Sequence, residues 1–202
     1  MDEDIKKVAA VDSSEAALIK ACQAGNKDAF DVLMGRNQHK IYNICYVLLG
    51  DHHEAEDAAQ DTFIKAYRAI HQFRLESAFS TYLYRIAVNT CTNRIKSMEY
   101  KFKKFLVRFD RSDSSNDCDP VVDIKDDAPL PVAQLMAEEK TRAIRKAINS
   151  LPDDWKTVVV LRDVEGLAYE EIEEITGFNL GTVKSRLARA RTQLKKKLAG
   201  VF

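Results

Sequence analysis

Hydrophobic residues recur at helical spacing along the first half of the chain. From Ser14 to about Ser97, apolar positions return every three or four residues in "EAALIKACQAG", "AFDVLMGRNQHKIYNICYVLLG" and "EAEDAAQDTFIKAYRAIHQF". This spacing predicts consecutive amphipathic helices. Gly25 and Gly50 stand where two of the patterns stop, as glycine often does at helix C-termini.

The hydrophobic pattern breaks once and then resumes. Residues 108–131, "RFDRSDSSNDCDPVVDIKDDAPLP", are rich in Asp, Ser and Pro and keep no period, which is typical of a flexible linker. Helical spacing returns in "VAQLMAEEKTRAIRKAINS", "LPDDWKTVVVLRDVEGL", "YEEIEEITG" and "NLGTVKSRLARARTQLKKKL". The sequence thus predicts an all-α protein, with one small domain at 14–100, a flexible acidic linker at 101–131 and a second small domain at 132–202.

Composition narrows the class of protein. The seven Gly and four Pro are few for a strand-and-turn architecture. No segment reaches the roughly 18 apolar residues that span a bilayer, and the acidic start "MDEDIKK" lacks a signal-peptide core, so we expect a cytoplasmic protein. The four cysteines are scattered without a C-x-x-C pair, which predicts free thiols and no metal site or cofactor. They are Cys22, Cys45, Cys91 and Cys118.

The formal net charge is zero, but the charges are segregated. Residues 178–198 carry seven Lys or Arg and no acid, behind a short helical pattern and a turn at Gly177. This is the layout of a helix-turn-helix, whose second helix enters the major groove of DNA. At about 100° per residue, one stripe of that helix is apolar and packs: Val183, Leu187, Ala190, Leu194 and Leu198. The opposite side carries Lys184, Ser185, Ala188, Arg189, Thr192, Lys195 and Lys196.

The beginning of the basic helix has the residues that such a role requires. Asn179 can cap the helix, and the free N–H groups near Gly181 and Thr182 suit a phosphate. One turn further on, Lys184, Ser185 and Arg189 reach base edges, where an arginine can pair bidentately with guanine.

A second surface in the first domain interleaves aromatic and basic side chains between residues 73 and 104. This alternation suits single-stranded nucleic acid, because rings stack on bases while basic groups follow the backbone. Helical spacing assigns Phe79, Leu83 and Ile86 to the core. The candidates for exposure are Tyr82, Tyr84, Arg85 and Asn89.

Residues 51–61, "DHHEAEDAAQD", contain five acids and no Lys or Arg. The helix that follows turns Ala55, Ala59, Phe63 and Ile70 inward. Its outer face presents Glu56, Asp57, Gln60 and Asp61. Such a face can be merely solvated, but it also suits a basic protein partner.

These elements, in this order, resemble the extracytoplasmic-function (group IV) sigma factors of bacterial RNA polymerase over nearly the whole chain. The matching motifs are "EAEDAAQDTFIKAYRAIHQFR", "SAFSTYLYRIAVNTCTNRIK", "INSLPDDWKTVVVLRDVEGLAYEEIEEITG" and "LGTVKSRLARAR". The resemblance implies that the first domain is sigma region 2, which docks on the β′ clamp helices and melts the minus-ten element. It also implies that the second domain is region 4, which reads the minus-thirty-five element and contacts the β flap. The resemblance also implies an anti-sigma factor as a partner and a stress signal from the envelope or environment.

Carried over by position, the resemblance assigns residues to each role. The polymerase-binding segment is Glu56, Asp57, Gln60 and Asp61. The minus-ten residues are Phe73, Arg74, Glu76, Ser77, Phe79, Tyr82, Tyr84, Arg85 and Asn89, and the loop from Phe73 to Ser80 holds a flipped base. The minus-thirty-five residues are Gly181, Thr182, Lys184, Ser185, Ala188, Arg189 and Arg191. The chain departs from the family pattern at Tyr82, Ala168 and Ala188, where Trp, Ser and a larger side chain are frequent.

Two other functions fit parts of the pattern. A stand-alone helix-turn-helix regulator has a similar C-terminal unit, but a receiver domain would require alternating strands and helices. An adaptor that binds only protein predicts that Lys184 and Arg189 are dispensable for transcription. No nucleophile with a base, metal cluster or phosphate loop stands out, so we do not expect an enzyme.

Overall fold

The computed structural model describes residues 14–109 and 132–199, and all regular structure within them is helical. The first domain consists of α1 (Glu15–Gln23), α2 (Lys27–Leu49), α3 (His52–Ala69), a 3-10 turn (Ile70–Gln72) and α4 (Phe79–Phe109). The helix α4 therefore continues nine residues beyond the predicted end of the domain at residue 100. The rest of the predicted linker, at 110–131, lies outside the described residues.

Side-chain caps begin three helices of the first domain. The side chains of Ser14, Asn26 and Asp51 each accept a hydrogen bond from a backbone N–H in the first turn of the helix that follows, at 3.3, 3.3 and 2.9 Å. Such caps satisfy donors that the helix itself leaves unpaired. At the other end of α2, Gly50 takes a left-handed φ of 79°, which glycine adopts without a steric cost.

The second domain consists of α5 (Val132–Asn149), α6 (Asp153–Val159), α7 (Tyr169–Thr176) and α8 (Leu180–Leu198). A π-helical turn, Val160–Val164, continues directly from α6. Gly177 closes α7 with a φ of 71°, and α8 begins three residues later. The pair α7–turn–α8 confirms the predicted helix-turn-helix.

The two domains pack against each other. Buried side chains from both form one continuous cluster, which includes Phe79 and Leu83 of α4 and Ile172 and Val183 of the second domain. Lys156 of α6 is buried, and its Nζ donates to the Leu48 carbonyl at the end of α2, at 3.3 Å. Thr81 and Arg85 of α4 contact Glu171 and Glu174 of α7, so the face of α4 that the sequence assigned to DNA lies beside α7.

Candidate nucleic-acid interface

A cavity of about 710 Å³ lies where the 3-10 turn leads into α4. Seven of the nine residues predicted to contact the minus-ten element line it: Phe73, Arg74, Glu76, Ser77, Tyr82, Arg85 and Asn89. The wall is completed by Lys65, Ala69, Gln72, Ile86, Thr90, Asn93 and Glu174. Residues of α3, the 3-10 turn, the loop that follows it, α4 and α7 thus bring aromatic, basic and amide groups to one open pocket.

An aromatic cluster forms the floor of this cavity. The ring centroid of Phe73 lies 4.9 Å from that of Tyr82 and 5.8 Å from that of Phe79. Phe79 is fully buried, as helical spacing predicted. The prediction that Tyr82 is exposed was wrong: it is 8% exposed, because its ring packs on the two phenylalanines. Its Oη is buried and has no hydrogen-bond partner within the described parts of the chain.

The prediction that Tyr84 is exposed was also wrong. Its side chain is 3% exposed, because the second domain covers it and Glu165 accepts a hydrogen bond from its Oη at 2.9 Å. Burial, followed by this hydrogen bond, raises the pKa of Tyr84. Tyr84 is therefore a neutral donor in an interdomain contact and does not line the cavity.

The polar rim of the cavity has the exposure that the sequence predicted. Arg85 and Asn89 are exposed on α4, one turn apart. The Arg85 guanidinium lies 5.8 Å from the centroid of the Tyr82 ring and 3.9 Å from the Glu174 carboxylate of α7. Burial raises the pKa of the Tyr82 hydroxyl, so this group remains protonated and can donate a hydrogen bond.

The sequence did not predict the residues that support this cavity from the neighbouring helices. Lys65 on α3 donates to Thr90 Oγ1 on α4 at 2.9 Å, and both line the cavity. Gln23 and Glu15 on α1 bond to the backbone on either side of the 73–78 loop. Helical spacing carries no signal for these roles, because each contact joins residues at least 25 positions apart.

The acidic face of α3 divides into two parts. Glu56, Asp57 and Gln60 are exposed, as predicted. Asp61 is half-buried, and its carboxylate accepts a hydrogen bond from Arg94 Nη2 at 2.7 Å. The other terminal nitrogen of Arg94 donates to Glu54 at 2.7 Å. Asp61 therefore serves mainly to tie α3 to α4.

The predicted geometry of α8 is confirmed. Asn179 Oδ1 accepts a hydrogen bond from the Thr182 N–H at 2.8 Å. The apolar stripe faces inward, with Val183, Leu187 and Ala190 fully buried. Every residue predicted on the opposite face is exposed: Lys184, Ser185, Ala188, Arg189, Thr192, Lys195 and Lys196. Gly181 is also exposed and Thr182 is half-buried.

Four basic residues of this helix have partners inside the second domain: Lys184, Arg186, Arg191 and Lys197. Arg191 forms a two-point ion pair with Asp163, with Nε 3.1 Å from Oδ2, and this hydrogen bonding raises its pKa. The Lys184 ammonium lies 5.6 Å from the centroid of the Tyr169 ring. The Arg189 side chain is exposed and lines a shallow groove together with Trp155, Ala188 and Lys196.

Ala168 stands where the family often has Ser, and the loss of that helix cap is compensated in part. Glu171 Oε2 accepts a hydrogen bond from the Ala168 N–H at 2.7 Å, so one terminal donor of α7 is satisfied. The other oxygen of Glu171 accepts from Thr81 Oγ1 on α4 at 3.3 Å. One carboxylate thus caps its own helix and contacts the first domain.

The described residues also bear on the metal, thiol and membrane predictions. No group of three or more His, Cys, Asp or Glu side chains within 14–98 and 141–199 could hold a metal ion. Cys22, Cys45 and Cys91 are buried free thiols, whereas Cys118 lies outside the described residues. No helix in the described part of the chain is long and apolar enough to cross a bilayer.

Comparison with known proteins gives consistent matches. Residues 33–99 match the sigma-70 region 2 family, and residues 141–194 match sigma-70 region 4. The chain is 37% identical to the RNA polymerase sigma-H factor of Pseudomonas aeruginosa, over 90% of this chain and 92% of that protein. It is 38% identical to the ECF RNA polymerase sigma factor SigW of Bacillus subtilis, over 89% and 94% of the two chains.

The fold has a counterpart among solved structures. The sigma factor RpoE of Bartonella quintana, solved in complex with the anti-sigma factor NepR, superposes with a TM-score of 0.61 at 24% identity. The match covers 87% of this chain and 99% of that one. The arrangement of two helical domains is thus shared with a protein of distant sequence.

Proposed function

We infer the function of this chain from its family, because it belongs to the extracytoplasmic-function sigma factors of the sigma-70 family of bacterial RNA polymerase. It is a transcription initiation factor that directs core polymerase to specific promoters. Its first domain corresponds to region 2 and its second to region 4.

The observation that carries the residue assignments is the cavity at the beginning of α4. Seven of the nine residues proposed for the minus-ten element line it. The buried Tyr82 hydroxyl without a partner in the described chain can donate to a base edge. Arg85 and Asn89 supply a phosphate partner and an amide at the rim. A pocket of about 710 Å³ is large enough to accept one displaced base.

We propose that promoter melting uses binding energy alone. Flipping a base costs a few kcal/mol, which hydrogen bonds and ring contacts within the cavity can offset once polymerase holds the duplex. Phe79 and Tyr84 act indirectly, since the first supports the cavity floor and the second lies at the domain interface. No chemical step is required of the chain, which supports a non-enzymatic factor.

In the second domain, the exposed face of α8 is the proposed reader of the minus-thirty-five element. Arg189 is the residue best placed to read a base, because its side chain is exposed on the face opposite the buried stripe of α8. Lys184, Ser185 and Ala188 share this face, and the Gly181–Thr182 backbone offers N–H donors to a phosphate. The pairing of Arg191 with Asp163 favours a phosphate contact over base reading.

The proposed protein partners follow from the charged faces. Glu56, Asp57 and Gln60 form the exposed surface for the β′ clamp helices, with Asp61 contributing mainly through its bond to Arg94. A contact of the second domain with the β flap, an anti-sigma factor and control by envelope or environmental stress are further proposals from the family resemblance. Because sigma factors act on RNA polymerase, we propose that the protein works in the cytoplasm.

Runoff transcription tests the proposed function. Core polymerase with the purified chain is expected to produce new start sites on genomic fragments, and core polymerase alone is not. If purified chain without polymerase protects a specific duplex at physiological salt, the stand-alone regulator is favoured instead. Absence of new starts in the presence of core would contradict the sigma-factor function.

Base reading by α8 is tested at a promoter found in that way. Arg189→Ala is expected to cost about 1–3 kcal/mol in promoter binding and to relax the preference at one minus-thirty-five base pair. Arg142→Ala, which removes an exposed arginine from α5, is the matched control. Equal effects of the two substitutions would contradict base reading by Arg189.

A further inference from the structure

We propose that α1 positions the base-holding 73–78 loop, with Gln23 and Glu15 as its two positioning residues. This inference rests on the proposed function, since it concerns the cavity that receives the minus-ten base. It assigns a role to residues 15–23, which lie before the segment 33–99 that matches the region 2 family.

Gln23 holds the entrance of the loop. Its side-chain Nε2 donates two hydrogen bonds, to the Ile70 carbonyl at 3.0 Å and to the Phe73 carbonyl at 2.8 Å. The Phe73 carbonyl lies just past the end of the 3-10 turn, where a helix leaves acceptors unsatisfied, and the Ile70 carbonyl at its beginning also accepts from the Phe73 N–H at 3.1 Å. One amide group therefore fixes the turn that delivers Phe73 to the floor of the cavity.

Glu15 holds the exit of the loop. Its Oε1 accepts a hydrogen bond from the Phe79 N–H at 3.1 Å, and Phe79 is the first residue of α4. A carboxylate at this position pairs with a free N–H and complements the helix dipole. Because Glu15 and Gln23 stand on one helix about 12 Å apart along its axis, α1 fixes both ends of the loop at a set separation.

The loop between these anchors contains a strained residue. Leu75 adopts a φ of 58° and is exposed, although a branched side chain disfavours this left-handed conformation. Such a conformation persists only where the surrounding structure over-determines it. The two anchors from α1 supply that constraint, so the loop is set in the free protein before any base arrives.

A loop fixed in advance affects promoter opening in a defined way. Base capture then has a smaller ordering cost, and the groups at the cavity wall meet the base in one geometry. Loss of an anchor is therefore expected to slow open-complex formation and to reduce discrimination at the one promoter position whose base enters the cavity. Discrimination at the minus-thirty-five element depends on α8 and is expected to stay unchanged.

The test uses the full chain with core polymerase on a promoter found by runoff transcription, together with single-base variants of that promoter. Gln23→Met removes the donor at nearly constant side-chain length, and Glu15→Gln removes the charge. Gln38→Met on α2 and Glu170→Gln in the first turn of α7 are matched controls, because both residues are exposed. Heat unfolding and competition for core polymerase are measured for every variant.

Gln23→Met is expected to slow open-complex formation roughly tenfold, since two hydrogen bonds are lost. Its loss of discrimination is expected at one minus-ten position only, and Glu15→Gln is expected to show a smaller loss at the same position. Core binding and both controls are expected to match the wild type. If Gln23→Met fails to fold, the result for Glu15→Gln decides whether α1 positions the loop.

Two outcomes would overturn the inference while leaving the proposed function intact. In the first, both anchor variants open promoters as fast as the wild type. In the second, they lose activity equally at every promoter position, which is the pattern of a general structural defect. If the wild-type chain itself produces no promoter-specific transcript, the proposed function fails, and the role of α1 in base capture fails with it.

Discussion

The hydroxyl of Tyr84 donates a hydrogen bond to the carboxylate of Glu165 at 2.9 Å, and this bond joins the two domains. Glu171 and Glu174 of α7 also face α4, where they contact Thr81 and Arg85. Carboxylates repel DNA phosphates. With the domains packed in this way, these acids lie along one side of the proposed minus-ten surface, and we expect that side to bind DNA more strongly when α7 moves away.

Removing the interdomain hydrogen bond is expected to loosen this packing. Tyr84→Phe deletes a bond to a charged acceptor, so the balance between packed and separated domains is expected to shift roughly tenfold toward separation. Hydrogen exchange at the backbone of α7 measures the change and is expected to become faster. Tyr67→Phe, at an exposed tyrosine of α3, is the control. Unchanged exchange in both Tyr84→Phe and Glu165→Gln would contradict the expectation.

The same tyrosine makes stability depend on pH at the alkaline end. Burial, and then the hydrogen bond to Glu165, raise the pKa of Tyr84 above its ordinary value of 10.0. Above about pH 10 an unfolded tyrosine releases its proton while the folded one retains it. Its contribution to stability is therefore complete below pH 10 and is lost as the pH rises toward the folded pKa.

Urea unfolding at pH 8.5 and pH 11 measures this contribution. The wild type and Tyr67→Phe are expected to lose stability between these values, and Tyr84→Phe is expected to lose less. Burial also raises the pKa of Tyr82, so a smaller dependence is expected to persist in the variant. Identical losses in all three proteins would show that Tyr84 ionises normally in the fold.

Arg94 is expected to contribute to the stability of the first domain. It donates to Glu54 and Asp61 of α3, each at 2.7 Å, and its side chain is only 24% exposed. Arg94→Ala is expected to lower the free energy of unfolding by about 1–2 kcal/mol, and less in 1 M salt. Arg68→Ala, at an exposed arginine of α3, is expected to change it by less than about 0.5 kcal/mol. Equal losses of stability in Arg94→Ala and Arg68→Ala, measured by urea unfolding, would contradict the stabilising role of Arg94.

The three described cysteines are expected to be unreactive in the folded protein. A hydrogen bond with the Cys45 thiol and burial raise the pKa of Cys91, and burial raises that of Cys22. The thiolate is the reactive form. In a Cys118→Ser background, labelling by a thiol reagent is expected to be at least roughly a hundredfold slower in buffer than in urea, because opening must come first. Rapid labelling of any one of the three thiols in buffer would contradict the prediction that they are unreactive in the folded protein.

Local patterns predicted the helices and their buried stripes well. Val183, Leu187 and Ala190 are buried on α8 as their spacing requires, and Asn179 caps that helix. Side chains three and four positions apart share a face in any helix. A cap depends only on residues within the first turn. Both features can therefore be predicted from neighbours in the chain.

Tertiary packing determined which exposed-looking residues are covered. Spacing placed Tyr82 and Tyr84 on the polar side of α4, yet Phe73 packs on the first and Glu165 binds the second. Asp61 was likewise predicted to face a protein partner, but its carboxylate accepts a hydrogen bond from Arg94. Periodicity identifies which side chains share a face of one helix, but not which residues cover that face. In the hydrogen bonds Arg94–Asp61 and Tyr84–Glu165, the partners are 33 and 81 positions apart in the chain.

The sequence by itself determined the family, the all-helical architecture and the candidate residues for the two proposed nucleic-acid surfaces, because these depend on motifs and on periodicity within single helices. Only the tertiary structure decided that seven of those residues line one cavity, that α1 contacts both ends of its loop and that Glu174 of α7 lies at its rim. Each of these features arises where separate helices meet, and a local sequence pattern does not specify that meeting.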